Sequence, residues 1–311
     1  MSLDYSYTPA GTNLWYGQPL GYVVSNATGE ALSVARAYEA NRMLISSVSN
    51  SVGTNLVSGF RYANDAVGRR TNRVDVLPNG LTVTNSFDYN LRSELQEAVM
   101  PVLSGAEVGT NSFNYNYDPI GNRETYATNG QTVADYLANE LNQYTNVSGT
   151  GELEYDLDGN LTNDQQNVCF WNGENRLVCV SNSAAVVSNV YDYMGRRVKK
   201  SVYDPADLDN PVSEKTFVYD GWNVIAERTA TSASTNTDYY TWGLDLSGSP
   251  QGAGGIGGLV SSTSGTNTLV HCYDANGNLT QSVDAEDGSL RANYRYDGFG
   301  NTISSSGDLA D

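Results

Sequence analysis

Recurring aspartates are the residues in this sequence whose type and spacing could carry chemistry. Segments 117–122, 155–160, 273–278 and 296–301 share the order aromatic, Asp, two variable residues, Gly, Asn, and segment 191–196 ends in Arg instead. A pair of carboxylates could hydrolyse a glycoside as acid and base. However, an Asp followed three residues later by Gly is typical of a turn in which the carboxylate accepts backbone hydrogen bonds. No pair of carboxylates stands apart from these motifs, so the pattern predicts turns.

Each position of the motif has a predicted structural role. The aromatic residue ends a strand, the Asp opens the turn, and the Gly supplies a positive φ at little steric cost. This is the layout of a short hairpin with a type I turn and a bulge. The predicted motif residues are Tyr117, Asp118, Gly121, Asn122, Tyr155, Asp156, Gly159, Asn160, Tyr191, Asp192, Gly195, Tyr273, Asp274, Gly277, Asn278, Tyr296, Asp297, Gly300 and Asn301.

Weaker relatives of the motif occupy the gaps between these copies. Segment 65–69 keeps the turn residues but has Asn64 in place of the aromatic residue. Looser copies lie at 38–42, 87–92, 136–141, 171–176 and 219–223.

Two other motifs suggest ligand sites and fail on inspection. Residues 252–257 match GxGxxG, but no helix pattern follows, so we predict a tightly turned loop and no dinucleotide site. Segment 156–160 has the start of a calcium loop, yet Leu161 and Asn167 stand where an EF-hand requires Gly and Glu. We predict no cofactor and no resident metal.

The nucleophile candidates are few. The chain has one histidine, His271, and its neighbour Cys272 points to the opposite face if the segment is a strand. A Ser-His-Asp triad stays formally open, because its members can lie far apart in sequence. No spacing of Cys and His fits zinc, and we expect Cys169 and Cys179 to be free thiols beside a hairpin. We therefore predict no catalytic residue and a chain that is not an enzyme.

The tryptophans leave a binding alternative open. Trp15, Trp171, Trp222 and Trp242 could stack on sugars if they are exposed. Trp171 and Trp242 stand at or near aromatic positions of the repeat, so packing is the default interpretation. Glycans remain a candidate partner.

Alternation of apolar and polar residues indicates the elements that hold these motifs. Phe113, Tyr115 and Tyr117 alternate with asparagines, which predicts a strand with one buried face. We expect an all-β array of hairpins that form a large, curved antiparallel sheet with almost no helix. Segment 93–100 could form one helical turn or a strand, and Pro101 is expected to end either.

Charge and hydropathy exclude some partner classes. The formal net charge is -18 and the sequence pI is about 4.3, which disfavours direct contact with nucleic-acid phosphates. No apolar run is long enough to span a membrane. The first residues contain no basic start or apolar stretch, so no signal peptide is expected there.

The motif copies resemble the YD repeats of RHS proteins, Tc-toxin C components and teneurins. The resemblance covers 38–303, and segment 240–259 is similar to one that bacterial RHS proteins carry shortly before their conserved core. It implies a β-sheet that spirals into a hollow cocoon around a C-terminal toxin or effector. The self-cleaving core of that family would follow Asn301. Neither its protease site nor a cargo domain is therefore assigned to residues of this sequence. The sheet is expected to form an open arc and not a closed shell.

The resemblance also implies the organisation and role of the chain. We expect an N-terminal segment at 1–37, a repeat array at 38–303 and a tail at 304–311. The expected function is a structural shell for another polypeptide, either its own cargo or further copies of the chain, in a bacterial protein that is secreted or on the cell surface. The alternatives are a filament or adhesive scaffold that assembles through open sheet edges, and a carbohydrate-binding scaffold.

Overall fold

The computed structural model of the protein describes residues 1–9, 18–27, 29–104 and 107–310, and within these ranges it contains strands, turns and no helix. Thirteen strands form the first sheet: β1 (Ser2–Tyr7), β2 (Pro19–Asn26), β3 (Gly29–Tyr38), β4 (Ile45–Val52), β5 (Asn55–Asn64), β6 (Arg70–Val76), β7 (Thr82–Tyr89), β8 (Leu95–Ser104), β9 (Glu107–Tyr117), β10 (Arg123–Thr128), β11 (Gln131–Ala138), β12 (Tyr144–Val147) and β13 (Gly151–Glu152).

Fourteen strands form the second sheet: β14 (Glu154–Tyr155), β15 (Leu161–Asn163), β16 (Val168–Trp171), β17 (Leu177–Ser181), β18 (Val186–Tyr191), β19 (Arg197–Asp204), β20 (Asp207–Asp220), β21 (Asn223–Thr231), β22 (Thr235–Trp242), β23 (Leu259–Ser264), β24 (Asn267–Tyr273), β25 (Leu279–Asp284), β26 (Leu290–Tyr296) and β27 (Thr302–Ser306). Both sheets are meanders in which each strand pairs with its neighbours in sequence. The predicted all-β, antiparallel hairpin fold is confirmed.

The two sheets meet at a single residue. Only Leu153 separates β13 from β14, and its N–H donates to the carbonyl of Thr145 at 2.9 Å. The hydroxyl of Tyr155 donates to the carbonyl of Tyr144 at 2.8 Å just beyond this point. Hydrogen bonding from β12 therefore continues on both sides of the interruption.

One local expectation about a strand is wrong. Segment 93–100 is not helical, since β8 runs from Leu95 to Ser104, and Pro101 lies inside that strand instead of ending it. The carbonyl of Pro101 accepts a hydrogen bond from Arg295 Nη1 at 2.8 Å. A proline is tolerated within a strand where its missing N–H is not needed by the ladder.

The chain divides into two compact units, and the first comprises Met1–Ser112 and Tyr240–Asp311. Its apolar core combines strands that are distant in sequence. Val24, Leu32 and Phe60 from β2, β3 and β5 are buried in one cluster with Val270 and Val283 from β24 and β25. The alternation along these strands places one set of side chains on the buried face.

A buried ionic group lies beside this core. Arg73 on β6 pairs with Asp75 through two bonds, of 2.7 and 3.1 Å, and its Nη1 lies 3.3 Å from an oxygen of Asp274. Asn85 also donates to Asp75 at 3.0 Å. Buried charges are retained only when they are paired in this way, because desolvation of an isolated ion is expensive.

The second unit, Phe113–Tyr239, buries much less. Within the described part of this unit, the buried hydrophobic residues are Phe113, Tyr115 and Ala134. The Tyr115 ring stacks on Tyr126 with centroids 5.4 Å apart. Strand pairing and turn contacts must therefore contribute most of the stability of this unit.

Candidate functional site: the aspartate turns

Each Asp-Gly motif folds into the same turn, for which Asp156 is representative. Its Oδ1 accepts the N–H groups of Asp158 at 3.0 Å and Asn160 at 2.8 Å, and its Oδ2 accepts the Asn160 side-chain amide at 3.0 Å. The Asp156 N–H donates to the Asn160 carbonyl, and the Gly159 N–H donates to the Asp156 carbonyl. Gly159 has a φ of 85°, which completes a type I turn with a glycine bulge.

The other motif copies repeat this geometry. In every one, an Asp oxygen accepts the N–H groups two and four residues on, and the Gly has a positive φ. At Asp192 the Nε of Arg196 takes the place of the asparagine amide, at 2.7 Å. These turns are formed by Asp118 with Gly121 and Asn122, Asp192 with Gly195 and Arg196, Asp274 with Gly277 and Asn278, and Asp297 with Gly300 and Asn301.

The aromatic residue of the motif connects one hairpin to the preceding one. The hydroxyl of Tyr296 donates to the carbonyl of Leu279 at 2.6 Å, and Tyr191 does the same to Leu177 at 2.9 Å. Tyr273 reaches the carbonyl of Leu259 at 2.7 Å. Trp171 replaces the hydroxyl with its indole N–H, which donates to Leu161 at 2.8 Å. Tyr117 ends β9 opposite Arg123.

The weaker motif copies also form turns, and two of these turns open at a different residue from the predicted one. In 87–92 the turn residue is Asn90 and not Asp88, because the Asn90 N–H bonds to the Glu94 carbonyl. In 136–141 the turn opens at Asn139. Without glycine, Ser93, Asn142 and Asn175 adopt the positive φ, at 67°, 61° and 57°. Asparagine tolerates this region better than most residues.

Further contacts link consecutive turns within the second unit. Asn122 donates to Asn142 at 3.3 Å, Asn160 to Asn175 at 3.0 Å, Arg176 to the Asp192 carbonyl at 2.9 Å, and Arg196 to the Gly221 carbonyl at 2.5 Å. Each donor is the last residue of its own turn. Sequence reasoning explained Asn and Arg only as the end of a turn and missed this second role.

We call these turns the turn rim of the second unit; it comprises 118–122, 139–143, 156–160, 172–176, 192–196 and 220–223, with bonds between the first two turns and along the last four. The first unit shows the same linkage at Arg69, which donates to the Asn90 carbonyl at 3.1 Å, and Arg42 within the turn 39–44 donates to the Asp65 carbonyl at 2.6 Å. An Asn or Arg at the fifth position of the turn, counted from the Asp, can therefore bond both to the Asp of its own turn and to the next turn.

At some of the turns, hydrogen bonds hold the carboxylate in its charged form. The hydrogen bond from the Asn160 side chain, followed by its N–H, lowers the pKa of Asp156. The hydrogen bond from the Arg69 side chain lowers the pKa of Asp65 in the same way. A general acid requires a raised pKa, so these groups act as turn anchors.

The glycine-rich loop encloses a carboxylate of the protein itself. Asp245 is buried, and its Oδ2 accepts the N–H groups of Ala253 at 2.6 Å and Gly255 at 3.1 Å. Its Oδ1 accepts the N–H and hydroxyl of Ser247. The backbone donors of segment 252–257 are thus used internally. Sequence analysis did not single out Asp245.

His271 lies in a buried pocket of hydroxyl groups. Its Nδ1 is 3.0 Å from the Ser282 hydroxyl and its Nε2 is 3.1 Å from the Ser262 hydroxyl. Burial lowers the pKa of His271 to about 4, and burial raises the pKa of Cys272 to about 12. Both ring nitrogens face serines, so no carboxylate orients the ring as a triad would require.

The remaining candidate residues are placed as follows. Cys169 pairs across strands with Val180, and Cys179 with Phe170, so the two free thiols point to opposite faces. Trp222 is exposed at a turn, and Trp15 lies outside the described residues. Within the described ranges, no group of three His, Cys, Asp or Glu residues could hold a metal ion, and no helix is long and apolar enough to cross a membrane.

Comparison with known families identifies the repeat. The RHS Repeat family model matches residues 273–307, which contain two of the Asp-Gly turns. Residues 273–307 thus match an RHS repeat, and the chain is similar to RHS-repeat proteins. A similar fold is found in the crystal structure of TcdB2–TccC3, with a TM-score of 0.74 over 98% of this chain at 15% identity. The Photorhabdus luminescens Tc holotoxin pore gives a TM-score of 0.71 over 94% of the chain at 14% identity.

The curated relatives are nuclease proteins. The tRNA3(Ser)-specific nuclease WapA of Bacillus spizizenii is 28% identical over 193 residues, and the tRNA nuclease WapA of Bacillus subtilis is 27% identical over 194. The chain spans 7% of the length of these relatives and 16% of the solved chains of TcdB2–TccC3 and the holotoxin pore. The prediction that this chain is not an enzyme is wrong on this comparison, because both relatives are named as tRNA nucleases.

Proposed function

We propose that this RHS-repeat chain forms part of a shell that encloses or presents another polypeptide, such as its own C-terminal cargo. The observation that carries the proposal is the similarity to TcdB2–TccC3 over 98% of the chain. One of the matched structures is TcdB2–TccC3–Cdc42, which names Cdc42 as a further protein beside TcdB2 and TccC3.

The local structure supports a wall function. Successive hairpins are bonded through their strands, through the tyrosine hydroxyls and through the links between turns. Three separate sets of bonds resist separation of neighbouring hairpins. A sheet built in this way can serve as a continuous barrier without any single specialised residue.

Protease protection tests this proposal. An unstructured peptide with one protease site is fused after Asp311, and the same peptide is fused to an unrelated β-protein as the control. A wall that covers the peptide slows its cleavage about tenfold or more relative to the control, since cleavage then requires an opening event. Equal cleavage rates in the two fusions would contradict the shell role.

A second candidate function follows from the relatives named as tRNA nucleases. We propose, as the alternative, that the chain belongs to a tRNA-cleaving protein. Incubation of purified tRNA with the chain, followed by gel analysis, tests whether this segment cleaves. Specific fragments above the buffer control would support the alternative, and intact tRNA at high protein concentration would assign cleavage to other parts of such a protein.

We also propose a secreted or cell-surface location, because an exterior position suits a shell that delivers or presents a polypeptide. Fractionation of the producing cells with an antibody against the chain tests this. Recovery only from the cell interior would contradict it.

A further inference from the structure

A half-open cavity of about 300 Å³ lies in the first unit, between the turns that follow β5, β24 and β26. A water molecule takes about 30 Å³ in the liquid, so the cavity has room for about ten non-hydrogen atoms. One part of its wall is apolar or aromatic and consists of Leu44, Ile45, Phe87, Tyr89 and Leu95. Its charged lining residues are Arg70, Arg73 and Asp297.

Arg70 is buried in this wall without a counterion. Its Nη1 donates to Asn276 Oδ1 at 2.6 Å, and its guanidinium carbon lies 3.9 Å from the centroid of the Tyr62 ring. Both partners are neutral, and the Arg70 Nε is buried without a hydrogen bond. Among the described residues, no carboxylate forms an ion pair with Arg70. Burial of this kind lowers the pKa of the guanidinium, since its charged form has lost solvation.

The other charged groups of the lining are already occupied. Arg73 pairs with Asp75 at 2.7 Å, and its Nη1 lies 3.3 Å from Asp274. Asp297 accepts two backbone N–H groups and one side-chain amide of its own turn, at 2.8 to 2.9 Å. Arg70 is therefore the charged lining residue, among those described, that an entering anion can neutralise.

The lining selects the class of anion. A guanidinium can bind a carboxylate through two parallel N–H bonds, and the aromatic and aliphatic wall suits an apolar group attached to it. Asp297 carries a negative charge beside the same space, which disfavours a dianion such as inorganic phosphate. The side chains of Asn64 and Asn276 also line the cavity and can bond to further polar atoms of a ligand.

We propose that this cavity binds a monocarboxylate that carries a short apolar group, with the carboxylate at Arg70 and the apolar group against Phe87, Tyr89 and Leu95. A free organic acid has this chemistry, and so does the last residue of a polypeptide that ends in an apolar side chain. The site is independent of the shell role, because it requires only the first unit of the chain.

Calorimetric titration of the full chain with 3-phenylpropionate tests the proposal. The acid should bind at one saturable site with a micromolar to millimolar Kd, as expected for a ligand of this size. Its neutral amide and inorganic phosphate should bind at least about tenfold more weakly, since each lacks one of the two required features. These comparisons use the wild-type chain and need no substitution.

Paired arginine variants locate the site. Arg70→Gln keeps a donor for Asn276 and removes the charge, so the acid should bind about tenfold more weakly or less. Arg61→Gln is the matched control, because Arg61 is exposed on β5 and does not line the cavity, and affinity should stay within about twofold. Circular dichroism verifies that both variants are folded.

An acetylated Gly-Gly-Phe peptide with a free carboxylate distinguishes the two sources of the ligand. Competition between this peptide and 3-phenylpropionate would support the site and assign it to a chain terminus, whereas binding of the acid alone would support it and assign it to a free molecule. No saturable binding of either probe would overturn the proposal and leave a cavity filled by water only. Equal binding of the acid and its amide, or unchanged affinity in a folded Arg70→Gln variant, would overturn it as well.

Discussion

At the scale of single residues, each turn aspartate accepts hydrogen bonds from two backbone N–H groups and from one side chain. The sequence predicts the backbone bonds but not all of the side-chain partners. The Asp and Gly of the motif could be assigned from spacing, since the demand for a positive φ and an Asx acceptor is local. The motif alignment does not predict that Asn90 and Asn139 open turns, because it fits Asp88 and Tyr136 to the motif instead. Asparagine takes the place of Asp at both turn openings. The burial of Asp245 and the pairing of Arg73 with Asp274 depend on contacts between distant segments, which local spacing does not encode.

The turn glycine gives a direct residue-scale prediction. Gly159→Ala should lower the free energy of unfolding by about 1–2 kcal/mol, because an L side chain at its φ of 85° is strained. Gly173→Ala is the matched control, since Gly173 lies in a turn of the same type with open space around it and no positive φ. Urea denaturation measures both, and equal effects would show that the turn conformation is not the cause.

The only histidine predicts a pH dependence. His271 has a pKa of about 4 when folded and an ordinary pKa of about 6.5, so between these values the unfolded chain binds a proton that the folded chain does not. The free energy of unfolding should therefore fall by about 2 kcal/mol from pH 7 to pH 5. Carboxylates with lowered pKa values, such as Asp156, contribute only at lower pH.

The control for this pH dependence is His271→Gln, whose amide can bond to both serines without titrating. Denaturation curves at pH 7 and pH 5 should show little difference for this variant. The same loss of stability in the variant as in the wild-type chain would mean that another group is responsible.

At the scale of the elements, hairpins are joined by aromatic side chains that cross from one to the next. The sequence indicated the hairpins through period-two alternation, and it indicated that the tyrosines pack. It did not identify the carbonyl acceptors. Each acceptor lies just past the preceding turn, as Leu279 and Leu161 show, where the bulge shifts the register. This position becomes evident only when the pairing of both strands is known.

Removal of one such hydroxyl tests the connection. Tyr155→Phe should reduce the free energy of unfolding of the second unit by about 1 kcal/mol, because the Tyr144 carbonyl loses its donor. Tyr193→Phe is the control, since Tyr193 is 89% exposed at a turn tip, and it should change stability by less than about 0.5 kcal/mol. Chemical denaturation followed by fluorescence compares them, and an equal effect of the two changes would refute the linking role of Tyr155.

At the scale of the whole molecule, two units with the same strand pattern differ in how they are held together. The first has a buried apolar cluster and the Arg73 group, whereas the described part of the second buries few hydrophobic residues and depends on ladders and turn links. The resemblance to RHS repeats, the fold class and the turns followed from the motif. The division into Met1–Ser112 with Tyr240–Asp311 and Phe113–Tyr239 did not, because it depends on which distant strands pack together.

Hydrogen–deuterium exchange measured along the chain tests most directly the claim that linked turns, and not a large core, hold the second unit together. The slowest exchange is expected in β3–β5 and β24–β25. Intermediate protection is expected in β16–β21, where the turn-opening N–H groups of Asn172 and Asp192 should exchange as slowly as the adjoining strands. Unprotected turn N–H groups beside protected strands in the second unit would contradict it.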